Sequence, residues 1–426
     1  MSLIDSLLQP ALIEDGLRPL RQRARAALQS SGLPGARDEA WRYTSLRMLA
    51  TRSFALVDSQ ADRRVPAAAV DARLAAAGLR LVFVNGLLRS DLSALDRLPA
   101  GVRVAPHLPA QDTAVGESLA PFVAANLALA RSGALIHVDA GVQLDLPLHL
   151  FFIVQAGDAP YALHTRVQLV LDEGAHATII EEHHAESAAA HLCNRVIDID
   201  LGERAQLMHT RTGVGGDALH SLHASRYRLG AGAQVQTFEL TTGQALSRHQ
   251  VDVVLDGNGA NFVSGGVQAI SGRAHSDMHL SVYHRARDTR CDLVWRGIAD
   301  QRARLGFTGN LHVEAGADGA DTRLQSKNLL LSPHAELNTR PVLVIDADEV
   351  KAAHGATVGR LDERALFYLR SRGIAEQRAR AMLTHAFAIE AVEVLPEGTP
   401  RDAMRWALQQ AMAGFVSVDE PGGAIP

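Results

Sequence analysis

A motif of leucine, a short turn and alanine recurs in the middle of the chain. It reads LDEGA, LGERA, LGAGA and LDGNGA, beginning at Leu171, Leu201, Leu229 and Leu255, and a more distant copy, LSPHA, begins at Leu331. The first four starts are separated by 30, 28 and 26 residues. A meander of hairpins would turn every ~8–12 residues, so the longer interval favours one solenoid coil per motif. We therefore predict a mainly β chain with a parallel β-helix core, in which each leucine is buried and each alanine fills a corner.

The segments between these motifs alternate between apolar and polar residues. In RVIDIDL, Ile197 and Ile199 lie on one face of a strand and Asp198 and Asp200 on the other. The segment DMHLSVYH at 277–284 follows the same pattern. Such alternation is typical of strands with one buried face, and it predicts that the polar side chains are solvated.

Helix-forming patterns occupy both ends of the chain. We predict an N-terminal helical region over residues 1–78, a β-helix core over 79–356 with a helical patch near 117–132, and a C-terminal helical domain over 357–426. The arginine-rich stretch LRPLRQRARAAL favours a solvated amphipathic helix. Near the C-terminus, Asp362 is a suitable N-cap for the helix ERALFYLRS. The C-terminal helices either cover the last strand edges of the solenoid or form a docking surface.

The composition argues against several classes of protein. A net charge of −5 and a pI of about 6.4 do not suit a nucleic-acid-binding surface. No apolar run approaches the ~18 residues that a membrane span requires, and the first residues lack the order of a signal peptide. The two cysteines, Cys193 and Cys291, form neither a disulfide framework nor a zinc motif. We expect a cytoplasmic protein that binds neither nucleic acid nor a membrane.

Histidines are frequent and form two groups that deserve a chemical interpretation. One is EEHH at 181–184, and the other contains His275, His279 and His284. Metal binding is one interpretation, with Glu181, Glu182 or Asp277 as further ligands. However, residues four apart on a strand are ~13 Å apart, too far to share one ion. A solvated ladder of imidazoles is the simpler expectation.

Parallel β-helices also occur as polysaccharide lyases and hydrolases, which require clustered carboxylates. The acidic stretches DID at 198–200 and DAD at 346–348 are the candidates here. Aromatic residues, which line sugar-binding sites, make up only 4% of the chain. This scarcity argues against a carbohydrate-active enzyme, which is the alternative hypothesis.

A single histidine, His354, lies among small residues in KAAHGATVG. Burying an imidazole without a partner costs ~1–3 kcal/mol, so this ring either bonds internally or meets something outside the chain. The first possibility is a structural histidine with its hydrogen bonds satisfied. The second is a neutral nitrogen donated to a metal that another chain shares.

Several long stretches resemble the SufB/SufD family of iron–sulfur cluster assembly proteins. They are NTRPVLVIDADEVKAAHGATVGRLDERALFYLRSRGI at 338–374, GLPGARDEAWRYTSL at 32–46, LVFVNG at 81–86, RGIADQRARLGFTGNLHV at 296–313 and QSKNLLLS at 325–332. The resemblance spans both ends and the middle of the chain. It implies a right-handed parallel β-helix flanked by helical regions, which agrees with the repeat.

The resemblance also implies a function. The chain would be a non-catalytic scaffold subunit of a SufBCD complex, supporting iron–sulfur cluster assembly and iron acquisition. It would pair with a SufB-like paralogue as a heterodimer and dock a SufC-like ATPase through its C-terminal helices. Unpaired solenoid strands also invite a homodimer of the isolated chain, and the sequence leaves open whether it forms. No cofactor would be held by this chain alone. A transient Fe–S cluster would form at the interface with SufB.

The resemblance carries over to particular residues. His354 matches the histidine proposed to contribute to the cluster interface, as an iron ligand shared with the partner. The candidates for ATPase docking are Phe367, Tyr368, Arg370, Arg372, Gly373, Met382 and Phe387. The position of Leu369 carries a cysteine in SufB, and its absence here favours the SufD branch. Some SufD relatives have a cysteine two residues before the histidine, where this chain has Ala352. Since clusters are held mainly by cysteine, the partner would supply the sulfur ligands.

Overall fold

The computed structural model describes residues 2–35, 37–57, 78–106, 120–155, 159–185 and 189–413. The parts of the predicted regions that fall at 58–77, 117–119 and 414–426 lie outside the described residues. The described helices are α1 Leu3–Leu8, α2 Arg18–Ser31, α3 Arg47–Ala50, α4 Ala120–Leu129, α5 Glu363–Ser371, α6 Glu376–Val392 and α7 Thr399–Ala413.

The first described strands precede a long solenoid, and the later ones form it. They are β1 Ala55–Leu56, β2 Leu79–Val84, β3 Leu87–Leu88, β4 Val102–Ala105, β5 Ser132–Val138, β6 Leu148–Val154, β7 Tyr161–Leu171, β8 His176–Ala185, β9 Leu192–Leu201, β10 Gln206–Gly215, β11 His220–Leu229, β12 Gln234–Gly243, β13 Leu246–Leu255, β14 Asn261–Ile270, β15 His275–His284, β16 Arg290–Ala299, β17 Arg304–Val313, β18 Asp321–Leu330, β19 Glu336–Ile345 and β20 Lys351–Gly359.

From β5 onward, consecutive strands alternate between two sheets. The odd sheet has the order β19-β17-β15-β13-β11-β9-β7-β5-β4, and the even sheet has the order β20-β18-β16-β14-β12-β10-β8-β6-β2-β3. Neighbours in each sheet from β5 and β6 onward are parallel, so each coil contributes one strand to each sheet. The prediction of a mainly β, parallel solenoid with helices at both ends is confirmed. Its handedness and the exact domain boundaries stay predictions.

The leucine repeat marks one corner of each coil. The four leucines pair in register at the ends of β7, β9, β11 and β13. The turn that follows places Gly174, Gly232 and Gly259 at positive φ of 65°, 63° and 70°, which glycine adopts without strain. The alanine after each turn is fully buried, at Ala175, Ala205, Ala233 and Ala260. The copy at Leu331 is not a member of this series, because it follows β18 and lies at the opposite corner.

Both faces of the middle strands are buried, so the prediction of a solvated polar face is wrong for the odd sheet. Asp198 is 2% exposed and lies between Arg166, at 2.8 Å, and Arg226, at 2.5 Å. His279 is also buried, so the expected solvated histidine ladder is wrong there. Neighbouring coils place opposite charges side by side, and this pairing offsets the cost of burying them.

Part of the cover over the odd sheet comes from the N-terminal region. The ring of Trp41 lies 4.1 Å from the guanidinium carbon of Arg248, and the Thr44 hydroxyl donates to Asp277. On α4, the Asn126 amide donates to two backbone carbonyls of neighbouring coils, at 2.9 and 3.0 Å. These contacts bury charges that an isolated strand would expose.

Helix α2 is amphipathic as predicted, but one of its arginines is not solvated. Arg21 is fully buried. Its guanidinium bonds to Asp15 at 2.7 Å and donates to the carbonyls of Leu127 and Ala130 at the end of α4, at 3.0 and 2.9 Å. A cation at a helix C-terminus satisfies carbonyls that have no partner within the helix. Arg21 therefore joins α2 to the C-terminal end of α4.

The C-terminal helices pack on the even sheet. The shared cluster contains Phe238, Val267 and Ile298 from strands and Ala388, Leu395, Met404 and Leu408 from the helical region. At Gly265, an added Cβ would collide with the Val394 side chain and approach the Ala391 carbonyl, so only glycine permits this close approach. Asp362 accepts from the Arg364 amide at 2.8 Å, which confirms the predicted cap. None of the helices in the described ranges has both the length and the apolar character needed to cross a bilayer.

Candidate functional site at the open end of the solenoid

The last strand of each sheet, β19 or β20, is paired along one edge only within the described part of the chain. Its other edge presents backbone donors and acceptors. Val344, Ile345 and Val358 are exposed there, although apolar residues are buried throughout the middle coils. All of β20 is exposed except Ala356, which is half-buried. This end of the solenoid therefore combines unpaired backbone with exposed apolar side chains.

His354 lies on β20 at this open end. It is in register with Leu324 on β18, which is buried in the solenoid core. Because paired residues of parallel strands share a face, His354 lies on the same face as the buried Leu324, one coil further towards the open end. The imidazole is exposed and has no hydrogen-bond partner among the residues that the structure describes. The hypothesis of an internal, satisfied structural histidine is wrong.

The surroundings of His354 are open and contain no thiol. A Cβ added at Gly355 would meet nothing within 4 Å, and residue 352 is alanine. Both cysteines of the chain are buried in the solenoid. Burial raises the pKa of the Cys291 thiol, which disfavours the thiolate that binds metals. At this end the chain therefore offers an imidazole nitrogen without any sulfur ligand of its own.

Helix α5 presents two aromatic side chains to solvent. Phe367 is 71% exposed and Tyr368 is 57% exposed. The Arg372 guanidinium carbon lies 5.2 Å from the centre of the Tyr368 ring, and Arg370 pairs with Glu376 at 3.4 Å. Large exposed aromatics are typical of contact sites for other proteins.

The remaining docking candidates have different environments. Gly373, two residues after α5, has φ 82° and ends the helical turn, and Met382 is exposed on α6. Phe387 is only partly exposed, packs with the cluster that joins α6 to the even sheet, and has the Arg296 guanidinium carbon 5.6 Å from its ring centre. Its contacts are with the solenoid. Trp406 on α7, which sequence reasoning missed, is 65% exposed.

Comparison with known proteins identifies the family. Residues 152–387 match the SufBD core domain of the SUF system for FeS cluster assembly. The chain belongs to the SufBD family. The iron–sulfur cluster assembly protein SufD of Escherichia coli K12 is 30% identical over 411 residues, covering 95% of this chain and 94% of that protein. A SufBD family protein of Synechocystis is 29% identical over 404 residues, covering 90% and 89%.

A third relative belongs to the other branch. The iron–sulfur cluster assembly protein SufB of Bacillus subtilis is 24% identical over 276 residues, which cover 65% of this chain and 59% of that protein. The similarity to SufD is higher and spans nearly the whole chain. The predicted resemblance is confirmed, and membership of the SufBD family supports a role in iron–sulfur cluster assembly.

The EEHH motif divides between the two faces of β8 in this SufBD chain. Glu181 and His183 are buried inside the solenoid. Burial raises the pKa of Glu181, but hydrogen bonds from His183 and His209 and the Arg211 cation outweigh it and hold this pKa well below its usual range. Burial and the nearby Arg195 lower the pKa of His183 to about 3, so its ring is neutral. Because these side chains form hydrogen bonds and ion pairs with one another, none of them is free to bind a metal.

The same buried network continues to the next coil. Arg211 donates to Glu181 at 3.3 Å and to Glu239 at 2.5 Å, and Glu239 is 2.6 Å from His249. Burial raises the pKa of Glu239, but Arg211 and His249 lower it to about 2. Sequence alternation assigned the interior side of these strands to apolar residues. Only the tertiary pairing of charges on adjacent coils reveals this polar section of the core.

One group outside these motifs has the spacing of metal ligands in the described ranges, namely His137, Asp139 and Asp172. The Arg103 guanidinium already lies within it, 2.6 Å from both Asp139 and the Nδ1 of His137. The other ring nitrogen, Nε2, is 2.9 Å from Asp172. The Arg103 guanidinium thus occupies the position that a bound metal ion would take.

The carboxylates of the carbohydrate-enzyme alternative do not form a cluster. Asp198 on β9 is held by two arginines, whereas residues 346–348 follow β19, at the far end of the odd sheet. Acid/base hydrolysis of a sugar requires two carboxyl groups within ~5–9.5 Å of each other. The geometry therefore gives that alternative no support.

Proposed function

We propose that the chain is a non-catalytic scaffold subunit of a cytoplasmic SufBCD-type complex. Its open solenoid end pairs with a SufB-like paralogue, and α5–α7 dock a SufC-like ATPase. The observation that carries this proposal is the open end itself, where β19 and β20 expose unpaired edges and apolar side chains. An exposed parallel edge pairs readily with another chain, and here no element of the described structure covers it. An isolated chain would satisfy the same edges as a homodimer.

In this complex, His354 contributes one imidazole at the boundary between the two solenoids. Its exposure at the open end and the lack of a nearby thiol support a single nitrogen ligand from this chain. Imidazole is a suitable ligand for iron, and iron–sulfur clusters otherwise require thiolates. The partner supplies those thiolates, and the cluster is the cargo that the pair assembles.

Co-purification tests this function. The tagged chain is produced with SufB-like and SufC-like proteins of the same organism, as wild type and as His354→Ala. The wild type is expected to yield a three-component complex that contains iron and sulfide. The variant is expected to keep its subunits but lose more than half of its iron, because one ligand is missing. The matched control is His334→Ala, which removes an exposed imidazole from the turn before β19.

Two results would contradict the proposal at different levels. If neither partner binds the wild-type chain, the scaffold role is wrong. If the His354→Ala complex retains all of its iron, the ligand role of His354 is wrong, although the scaffold role stands. Equal losses in the His354 and His334 variants would likewise remove any special role for His354.

Docking of the ATPase is tested by a separate pair of variants. Phe367→Ala combined with Tyr368→Ala removes the exposed aromatic surface of α5, and the expected result is loss of the ATPase with the SufB-like partner retained. The control is Leu146→Ala, which truncates another exposed apolar side chain between β5 and β6. An ATPase that stays bound to the double variant would show that α5 is not its docking site.

A further inference from the structure

A second candidate site lies away from the open end, at the edge where strands of the odd sheet begin. There a groove of about 570 Å³ separates the region of α3 from the first residues of β11, β13, β15 and β17. Pockets for small molecules typically measure ~300–1,000 Å³. The groove is therefore large enough for a ligand of nucleotide size.

One wall of the groove carries a ladder of arginines. Arg273 and Arg302 precede β15 and β17 at equivalent positions, since the Arg302 amide donates to the Gly272 carbonyl at 2.9 Å. Strands of one sheet are ~4.8 Å apart, so the two residues stand side by side. Both are exposed, and neither has an ion-pair partner within the described ranges. Of the groove's arginines, Arg304 is neutralised, by Glu336 at 3.4 Å.

A buried histidine adds an unsatisfied group to the same groove. His220 is 6% exposed, and its Nδ1 atom is buried without a hydrogen-bond partner. Burial and the nearby Arg52 cation lower the pKa of His220 to about 4, so the ring is neutral at pH 7. The neutral imidazole of His220 therefore lines the groove without adding a charge to it.

The opposite wall, formed by α3, is apolar. Met48 is one of the most exposed large apolar side chains of the described structure, and the buried Leu49 lines the groove beside it. A sulfate-sized ion would use the arginines and leave this wall bare. A molecule with phosphate groups at one end and a flat ring at the other would use both.

We propose that this groove binds a phosphate-bearing small molecule of nucleotide size. Its phosphates lie on Arg273 and Arg302, whose planar guanidinium groups match phosphate oxygens. Its ring lies against Met48, and its middle part lies beside the imidazole of His220. This binding site does not depend on the proposed scaffold function.

Calorimetric titration of the full chain tests the site with three probes: ADP, inorganic pyrophosphate and adenosine. ADP is expected to bind most tightly, pyrophosphate more weakly and adenosine weakest. Arg273→Ala and Arg302→Ala are each expected to weaken ADP binding about tenfold, and the double variant about a hundredfold, since each loses one charge-assisted contact. Met48→Ser is expected to weaken ADP but not pyrophosphate.

The matched control is Arg290→Ala, which removes an exposed arginine at the start of β16, outside the groove. It is expected to bind ADP like the wild type. The proposal is overturned if ADP does not bind at millimolar concentration, or if the double variant and the control bind it equally. Equal affinity for pyrophosphate and ADP would overturn the nucleotide-sized ligand and reduce the groove to a simple anion site.

Discussion

The middle coils and the last coil share one strand-pairing pattern but differ in what surrounds them. On β9, Asp198 is buried between two arginines, whereas on β20 nearly every residue is exposed. The first end of the solenoid differs again, because the antiparallel strands β3 and β4 cover its edges. Parallel pairing alone therefore does not decide exposure. Within the described residues, the solenoid covers one end and its middle coils and leaves the edges of β19 and β20 unpaired at the other end.

The largest difference is expected for buried and exposed arginines. Arg211→Met leaves Glu181 and Glu239 in the core without their shared cation, and the expected cost is about 3–5 kcal/mol in the free energy of unfolding. Arg323→Met in the last coils breaks only an exposed pair with Asp321 and should cost at most about 1 kcal/mol. Urea denaturation measures both. Equal losses would show that the middle coils are not stabilised by their internal network.

Two glycines provide the next contrast. Gly265→Val forces a side chain into α6 and the Val394 side chain, and it should destabilise the chain by about 1–3 kcal/mol. Gly355→Val on β20 meets nothing within 4 Å, and valine suits a strand, so the free energy of unfolding should change by less than about 0.5 kcal/mol. Limited proteolysis should release the C-terminal helices only in the Gly265 variant. Their retention would place the helix contact elsewhere.

The sequence predicts the solenoid better than it predicts the surroundings of each strand. The leucine repeat is readable because the core imposes the same residue on every coil. The burial of Asp198, Arg21 and His279 is not readable, since it arises from charges and helices distant in sequence. The open end is equally hidden, because the small residues around His354 suit a buried or an exposed strand. Trp406 was missed because it lies off the stripe of Met404, Leu408 and Met412.

A buried histidine of the middle coils should make stability depend on pH. Burial lowers the pKa of His164 to about 3, and both of its ring nitrogens lack a partner. Its contribution to stability is complete above pH ~6.5, the pKa of an unfolded histidine, and is lost as pH falls from there towards 3, because only the unfolded chain takes up the proton. His164→Leu should therefore reduce the slope of unfolding free energy between pH 6 and 5 by about 1.4 kcal/mol per pH unit.

Urea denaturation at pH 8, 6 and 5 checks this expectation. At pH 8, the His164→Leu variant should be at least as stable as the wild type, because the substitution removes a buried polar ring that makes no hydrogen bond. An unchanged slope between pH 6 and 5 would mean that His164 is already protonated in the folded chain. It would also show that burial in the middle coils does not keep the His164 ring neutral.

The smallest effect on stability should accompany the largest effect on assembly. Ile345→Lys replaces an exposed apolar residue at the end of β19, so the free energy of unfolding should change by less than about 0.5 kcal/mol. If the open end pairs with another solenoid, the same lysine should abolish co-purification with the SufB-like partner, because its charge would be buried in the interface. Leu146→Lys, at an exposed apolar site between β5 and β6, should leave the pairing intact. Loss of pairing in both variants would indicate a general effect of added charge, and retention in both would show that the exposed edge serves another purpose.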